Sequence, residues 1–146
     1  MKGKLIIALI IGFTMTCGAS CYKESAQQTQ DIDTFVTTYF PETTVLSTIK
    51  DGLDYEVTLS DYTKIEFDGK LFGKTLEWEE VDCKHSTVYT SVPTALVPTE
   101  ITNYISQVHS GLSIVKISKD SLGWDIELSN GIEIEFDKKF RVIEID

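Results

Sequence analysis

Asp125, Glu127, Glu133 and Glu135 stand at alternate positions on the two sides of Asn130-Gly131, in "WDIELSNGIEIEFD". Glu56 and Glu66 hold the matching places in "YEVTLSDYTKIEFD", around Asp61-Tyr62. A spacing of two places such side chains on one face of a strand pair, with Trp124, Ile126, Leu128, Ile134 and Phe136 on the other. Neighbouring carboxylates can bind calcium weakly, exchange protons with a substrate, or meet a basic partner. Proton exchange near neutral pH needs a carboxyl raised by burial against apolar walls, and the exposed row offers none. The row therefore reads first as a solvated face and next as a partner-binding face, ahead of metal binding or catalysis.

The other reactive side chains are few. Cys83 and His85 in "EVDCKHS" are two apart, so on an extended segment they share a face; a buried, inert thiol is the simpler reading. His109 falls near a helix end, where a solvated cation suits the helix dipole. The sequence has no G-x-S-x-G, no H-E-x-x-H, no Gly-rich phosphate loop and no spaced Cys/His cluster. "DGLD" at 51–54 lacks the oxygen spacing of a calcium loop and reads as a turn. The expectation is no catalytic residue, no metal and no cofactor. Tyr62 and Phe72 lie on turns, near Trp78; an aromatic there either anchors an interface or folds back over a sheet edge.

The two acidic stretches are copies of each other. Six of fourteen aligned positions are identical, at an offset of 69 residues (124 − 55). Each copy reads as a hairpin, with Asn-Gly as the turn signal in the second. Tyr62 replaces Gly131 in the first, where a positive φ would strain it, so a two-residue type I′ turn is disfavoured there. "TVLSTIK" and "SIVKIS" open each copy with a strand; "TLEWEEVD" and "FRVIEID" close it, the first after a longer turn, "GKLFGKT". A short helix precedes each set. "DIDTFVTTYFP" offers Asp31 or Asp33 as N-cap and Pro41 as a stop. "VPTEITNYISQVHSG" puts Pro98 in the first turn and Gly111 at the end, with Ile101, Tyr104, Ile105 and Val108 on one face. One copy alone is a marginal fold, so the two are expected to share a sheet and a core.

The chain begins with a basic start (Lys2, Lys4), an apolar run from Leu5 to Met15, then small residues. That layout is a secretory signal over 1–20, and the run is short for a membrane span. "GASC" resembles the lipobox of bacterial lipoproteins, with Gly18 where Leu is usual, which would make Cys21 the lipidated residue and 21–30 a polar tether. Otherwise Cys21 and Cys83 could pair in an oxidising compartment. Removal of Lys2 and Lys4 takes the formal charge from −10 to −12 (−10 − 2). Such acidity repels nucleic acid and could steer a basic partner.

"FVTTYFP", "YEVTLSD", "IEFD", "WEEVDC", "VPTALVPTEITNYI", "GWDIELSNGIEIEFD" and the final "VIEID" together resemble the PepSY-like, β-lactamase-inhibitor-protein-like family of secreted bacterial proteins. The resemblance covers roughly residues 31–146, with two departures: Tyr62 in place of a turn Gly, and the longer "GKLFGKT" loop. It implies an α+β fold of two tandem α-β-β-β-β units, in one curved antiparallel sheet with helices on one face. It also implies a periplasmic or cell-surface location and no established catalysis. The inhibitor that gives the architecture its name binds an enzyme on the open sheet face, and PepSY modules occur in protease propeptides.

The expected domain at 31–146 comprises repeat 1 (31–82), a linker (83–97) and repeat 2 (98–146). The expected function is non-enzymatic capture of a protein or peptide through the open face and hairpin tips, with hydrolase inhibition as its sharpest form. The alternative is a small-molecule or glycan-binding lipoprotein using the sheet concavity as a pocket. The membrane is involved only through the N-terminal lipid.

Overall fold

A computed structural model describes residues 31–69 and 76–146. The signal, the tether, Cys21 and Phe72 lie outside the described residues. Helix α1 runs through 31–39 and leads to strands β1 (Val45–Asp51), β2 (Asp54–Leu59), β3 (Lys64–Asp68) and β4 (Glu77–Asp82). After a 3-10 turn at Thr94–Leu96 come helix α2 (Thr99–Val108) and strands β5 (Ile114–Lys119), β6 (Gly123–Leu128), β7 (Glu133–Asp137) and β8 (Val142–Ile145). The eight strands form one antiparallel sheet in sequence order, β1 to β8. This is the α+β class that the patterning predicts, with one sheet and two helices.

Alternation makes the core. Tyr55, Val57, Leu59, Ile65, Phe67, Val81, Ile117, Ile126, Leu128, Ile134 and Phe136 are buried in one cluster with Val36, Ile101 and Ile105 from the helices and Phe40 just after α1. Phe35 meets Phe67 edge-on at 5.2 Å, and Tyr104 meets Phe136 in the same way at 5.5 Å. Cross-strand registers recur at the 69-residue offset. Tyr55 faces Phe67 as Trp124 faces Phe136. The irregularity between Val45 and Ser47 on β1 returns between Ile114 and Lys116 on β5. Another bulge sets Phe67 opposite Trp78 but Glu66 opposite Glu80, leaving Glu79 as the extra residue. Ile143 takes that place on β8, between Val142 and Glu144.

The two hairpin turns are alike, and neither is the two-residue turn that Asn-Gly suggests. Gly131 N–H donates to the Leu128 carbonyl and Leu128 N–H to Ile132, both at 2.8 Å; Tyr62 and Leu59 repeat these bonds at 2.9 Å. This is a three-residue loop ending in a left-handed residue. That residue is Gly131 at φ 87° and Tyr62 at φ 71°, so Tyr62 does take the positive φ that sterics disfavour. Asp61 compensates: it is buried, and accepts from Thr63 N–H at 3.1 Å, Thr63 hydroxyl at 3.0 Å and Ser86 hydroxyl.

The segment 83–97 is fastened rather than loose. Cys83 N–H donates to Val115 and Val92 N–H to Ile114, each at 2.8 Å, and Thr87 N–H donates to Asp61 at 3.0 Å. Val92, Leu96 and Val97 join the core. Three local expectations need correction. Asp31 and Asp33 are both already helical, and the Asp33 carbonyl accepts the Thr37 hydroxyl, so Asp33 is no cap. Val108 is exposed at the last turn of α2, off the face that Ile101 and Ile105 bury. His109 is the C-cap but is half-buried instead of solvated, its ring 5.9 Å from Tyr104 and its Nε2 buried without a partner among the described residues.

Candidate functional site: the acidic sheet face

Opposite the core row, the strands carry their charges. Across β6, β7 and β8, Asp125 stands directly opposite Glu135, Glu127 opposite Glu133, and Glu135 opposite Glu144. In the first half Glu56 faces Glu66, and Glu66 faces Glu80. With Asp51 opposite Asp54 and Asp68 opposite Glu77 at the strand ends, seven like-charged pairs are in register, where directly opposed like charges are unfavourable.

Four predicted residues, Asp125, Glu127, Glu133 and Glu135, line a single cavity of about 320 Å³. Lys84, Lys116, Ser118, Glu144 and Asp146 complete its polar wall, and Ile126 and Ile134 are the apolar lining residues. Glu56 and Glu66 do not reach this cavity. They lie across β2 and β3, connected to it through β4 and Lys116. Tyr62 is not part of the cavity either; it stands 57% exposed on its turn. Phe72 falls outside the described residues.

Two lysines missing from the sequence-based set hold the face together. Lys116 reaches Glu80 at 2.8 Å, across the β4–β5 junction. Lys84 reaches Glu127 at 2.7 Å and Asp82 at 4.0 Å. Lys64 sits 3.8 Å from Glu56. Glu80, Asp82, Glu144 and Asp146 were also missing. Their signal was the aligned pairs Glu80/Glu144 and Asp82/Asp146, but the bulge that turns Glu80 to the same face as Glu66 has no sequence mark.

The crowding shows in the titration of the face. Partial burial raises the Glu66 carboxyl, and Glu80 and Glu56 raise it further against Lys116 and Lys64. Burial followed by Asp120 raises Asp125, while a Ser118 hydrogen bond and Lys116 oppose. Glu135 is raised by burial and then by Asp125, Glu144 and Asp146. The bond to Glu127 chiefly raises Lys84. Asp120 and Asp137, at the rims, go the other way because backbone N–H groups of Leu122 and Arg141, respectively, lead in stabilising their charge. The face presents dense negative charge, and its raised carboxyls take up a proton more readily than ordinary ones as pH falls. Among the described residues no group of three or more His, Cys, Asp or Glu is arranged to hold a metal ion.

Cys83 is buried and makes no disulfide among the described residues. Burial pushes its thiol up to about 12, which makes it a poor nucleophile at neutral pH. It does not share a face with His85: β4 ends at Asp82, whose carboxylate accepts Lys84 N–H at 2.8 Å, and the chain turns so that His85 is exposed.

A family model described as "Putative beta-lactamase-inhibitor-like, PepSY-like" matches residues 25–71 and 53–144. The chain belongs to this family. A similar solved structure from Bacteroides thetaiotaomicron, described as a "putative calcium-regulated periplasmic protein", is 36% identical with a TM-score of 0.67, over 80% of this chain and 88% of that one. A structure from Bacteroides vulgatus, described as a "putative periplasmic protein" of the DUF2874 family, has the same identity, TM-score and coverage. Another from Bacteroides vulgatus, described as a "putative periplasmic protein of unknown function", is 29% identical with a TM-score of 0.64, over 77% of this chain and 86% of that one. No curated protein matches. The PepSY-like assignment agrees with the resemblance read from the sequence.

Proposed function

We propose that this PepSY-like chain is a non-enzymatic envelope protein that captures a basic protein or peptide segment on its acidic sheet face. In this reading two α-β-β-β-β units place both helices on the core side and leave the opposite side open. Lys or Arg side chains of the partner would enter the cavity between Asp125, Glu127, Glu133 and Glu135 and relieve the opposed carboxylates. The observation that carries the reading is the set of seven like-charged pairs in register, only partly neutralised by Lys64, Lys84 and Lys116. Tyr62 adds a second contact: its aromatic ring stands 57% exposed at the tip of the first hairpin, where it can anchor a partner. Inhibition of a hydrolase is the sharpest form of this role, in keeping with the family description.

The polar lining of the cavity favours a protein partner over the small-molecule or glycan alternative, which would prefer an apolar pocket with few polar groups. A similar structure is described as a "putative calcium-regulated periplasmic protein", so capture is compared with and without calcium. The test is capture from envelope and secreted extracts on the immobilised protein, with and without calcium, against Glu133→Lys/Glu135→Lys. Retention of one basic protein by the wild type, and its loss from a reversal variant that still folds, is the expected result. Equal retention by both proteins would remove the acidic face from the function.

A further inference from the structure

The sheet contains one junction between its halves, and its two outer edges are the missing sides of another. At the inner junction β4 pairs with β5: Glu80 faces Ser118, Val81 faces Ile117 and Asp82 faces Lys116. Val81 and Ile117 are fully buried there. The counterpart of β4 is β8, since β7–β8 pairs Ile134 with Ile145 as β3–β4 pairs Ile65 with Val81. The counterpart of β5 is β1. Subtracting 69 from 116, 117 and 118 gives Ser47, Thr48 and Ile49, which pair with Thr58, Val57 and Glu56 as Lys116, Ile117 and Ser118 pair with Glu127, Ile126 and Asp125.

Both outer strands show apolar side chains that the inner strands cover or replace. Ile49 is 57% exposed, Leu46 61%, Ile145 48% and Ile143 62%. The backbone is poised as well. Glu133 and Asp146 exchange both main-chain bonds, at 3.1 and 3.0 Å, so alternation turns the N–H and C=O of Ile145 away from β7. At the inner junction Cys83 N–H reaches Val115 carbonyl, which by the same alternation makes Val81 and Ile117 a bonded pair. Thr48 inherits the Ile117 orientation and points outward. Bulges often protect free edges, but the β1 bulge recurs on β5 and does not prevent pairing there.

We propose that β8 of one copy pairs with β1 of a second copy in the register of the inner junction, Ile145 opposite Thr48 and Glu144 opposite Ile49. Ile145 closes against Thr48 on the core side. The contact is head-to-tail, so it leaves one β1 and one β8 free and continues to further copies. Net charge of −10 on each copy opposes the approach, so association strengthens as salt screens it.

A cross-link tests the register. Within one chain β1 and β8 are about 34 Å apart, seven strand spacings, far beyond the reach of a disulfide. The full chain with Cys21→Ser, carrying Ile49→Cys with Glu144→Cys and oxidised in its own envelope, should give a ladder of dimers, trimers and larger species under non-reducing conditions. Variants with only one of the two introduced cysteines, in the same background with Cys21→Ser, stop at dimers. Adding Ile145→Pro, which removes an outward N–H and leaves the β7 ladder intact, should abolish the ladder; Thr48→Pro should do the same from the other edge. Far-UV spectra and melting like the wild type show that the proline variants fold. Absence of species beyond the dimer, or a ladder that survives both prolines, overturns the proposal and leaves the edges to strands of other proteins.

Discussion

Glu66→Gln should stabilise the folded protein at neutral pH and low salt. Glu66 stands directly between Glu56 and Glu80 in the cross-strand register. Two unit charges about 4 Å apart in water interact by about 1 kcal/mol; carboxylates splayed from facing strands stand further off, and directly opposed pairs are worth roughly 0.2–1 kcal/mol. Lys116 and Lys64 return part of this, and the group is exposed enough for solvent to screen the rest. The net gain is then about 0.5 kcal/mol, or roughly 2–3 °C in Tm for a domain of this size. Urea unfolding and calorimetry at pH 7 read it directly. The pH dependence supplies the sign. Because the folded carboxyl is raised above its unfolded value, the folded state takes up a proton first as pH falls, and wild-type stability rises through that window. Glutamine has no such proton to gain, so the two curves should converge towards acid pH, and also in high salt. A variant less stable than wild type at pH 7 would refute the reasoning, because it would mean that the lysines outweigh the facing carboxylates.

Asp61→Ala removes the acceptor for Thr63 N–H, Thr63 hydroxyl and Ser86 hydroxyl; leaving buried donors unpaired should cost about 2–3 kcal/mol, read by urea unfolding. Gly131→Ala should cost about 1 kcal/mol, because nothing crowds its added Cβ and only φ 87° opposes it. At the equivalent tip Tyr62→Gly should be more stable than Tyr62→Ala by a similar amount. Cys83, with its thiol pushed up to about 12, should resist thiol reagents at neutral pH until the protein unfolds; rapid modification of the native protein would contradict its burial.

The strands were legible because period-two alternation in "WDIELSNGIEIEFD" and its copy survives folding unchanged. The acidic row was legible for the same reason, and four of its members do share one cavity. Its positive members were not. Lys116 pairs with Glu80 from a strand 36 residues away (116 − 80), and Lys84 meets Glu127 after a turn that no propensity marks. Tyr62 shows tertiary context overriding local preference: Asp61 fixes the loop from within, so the left-handed position tolerates a bulky residue. Asp31 and Asp33 have the residue type of caps, yet both are helical, because a cap signal read from residue type alone does not fix where a helix begins.

The sheet order has a kinetic meaning. With every strand bonded to its neighbour in sequence, most pairing is local, which favours rapid zippering over long searches. The exception is β4 with β5, where Asp82 must find Lys116 across 34 residues (116 − 82). Loop-closure entropy makes that encounter the costly one. The two halves should therefore form as separate folding units, with their docking as the rate-limiting step, and a slow phase should respond to changes at Val81 or Ile117 more than to changes within either hairpin.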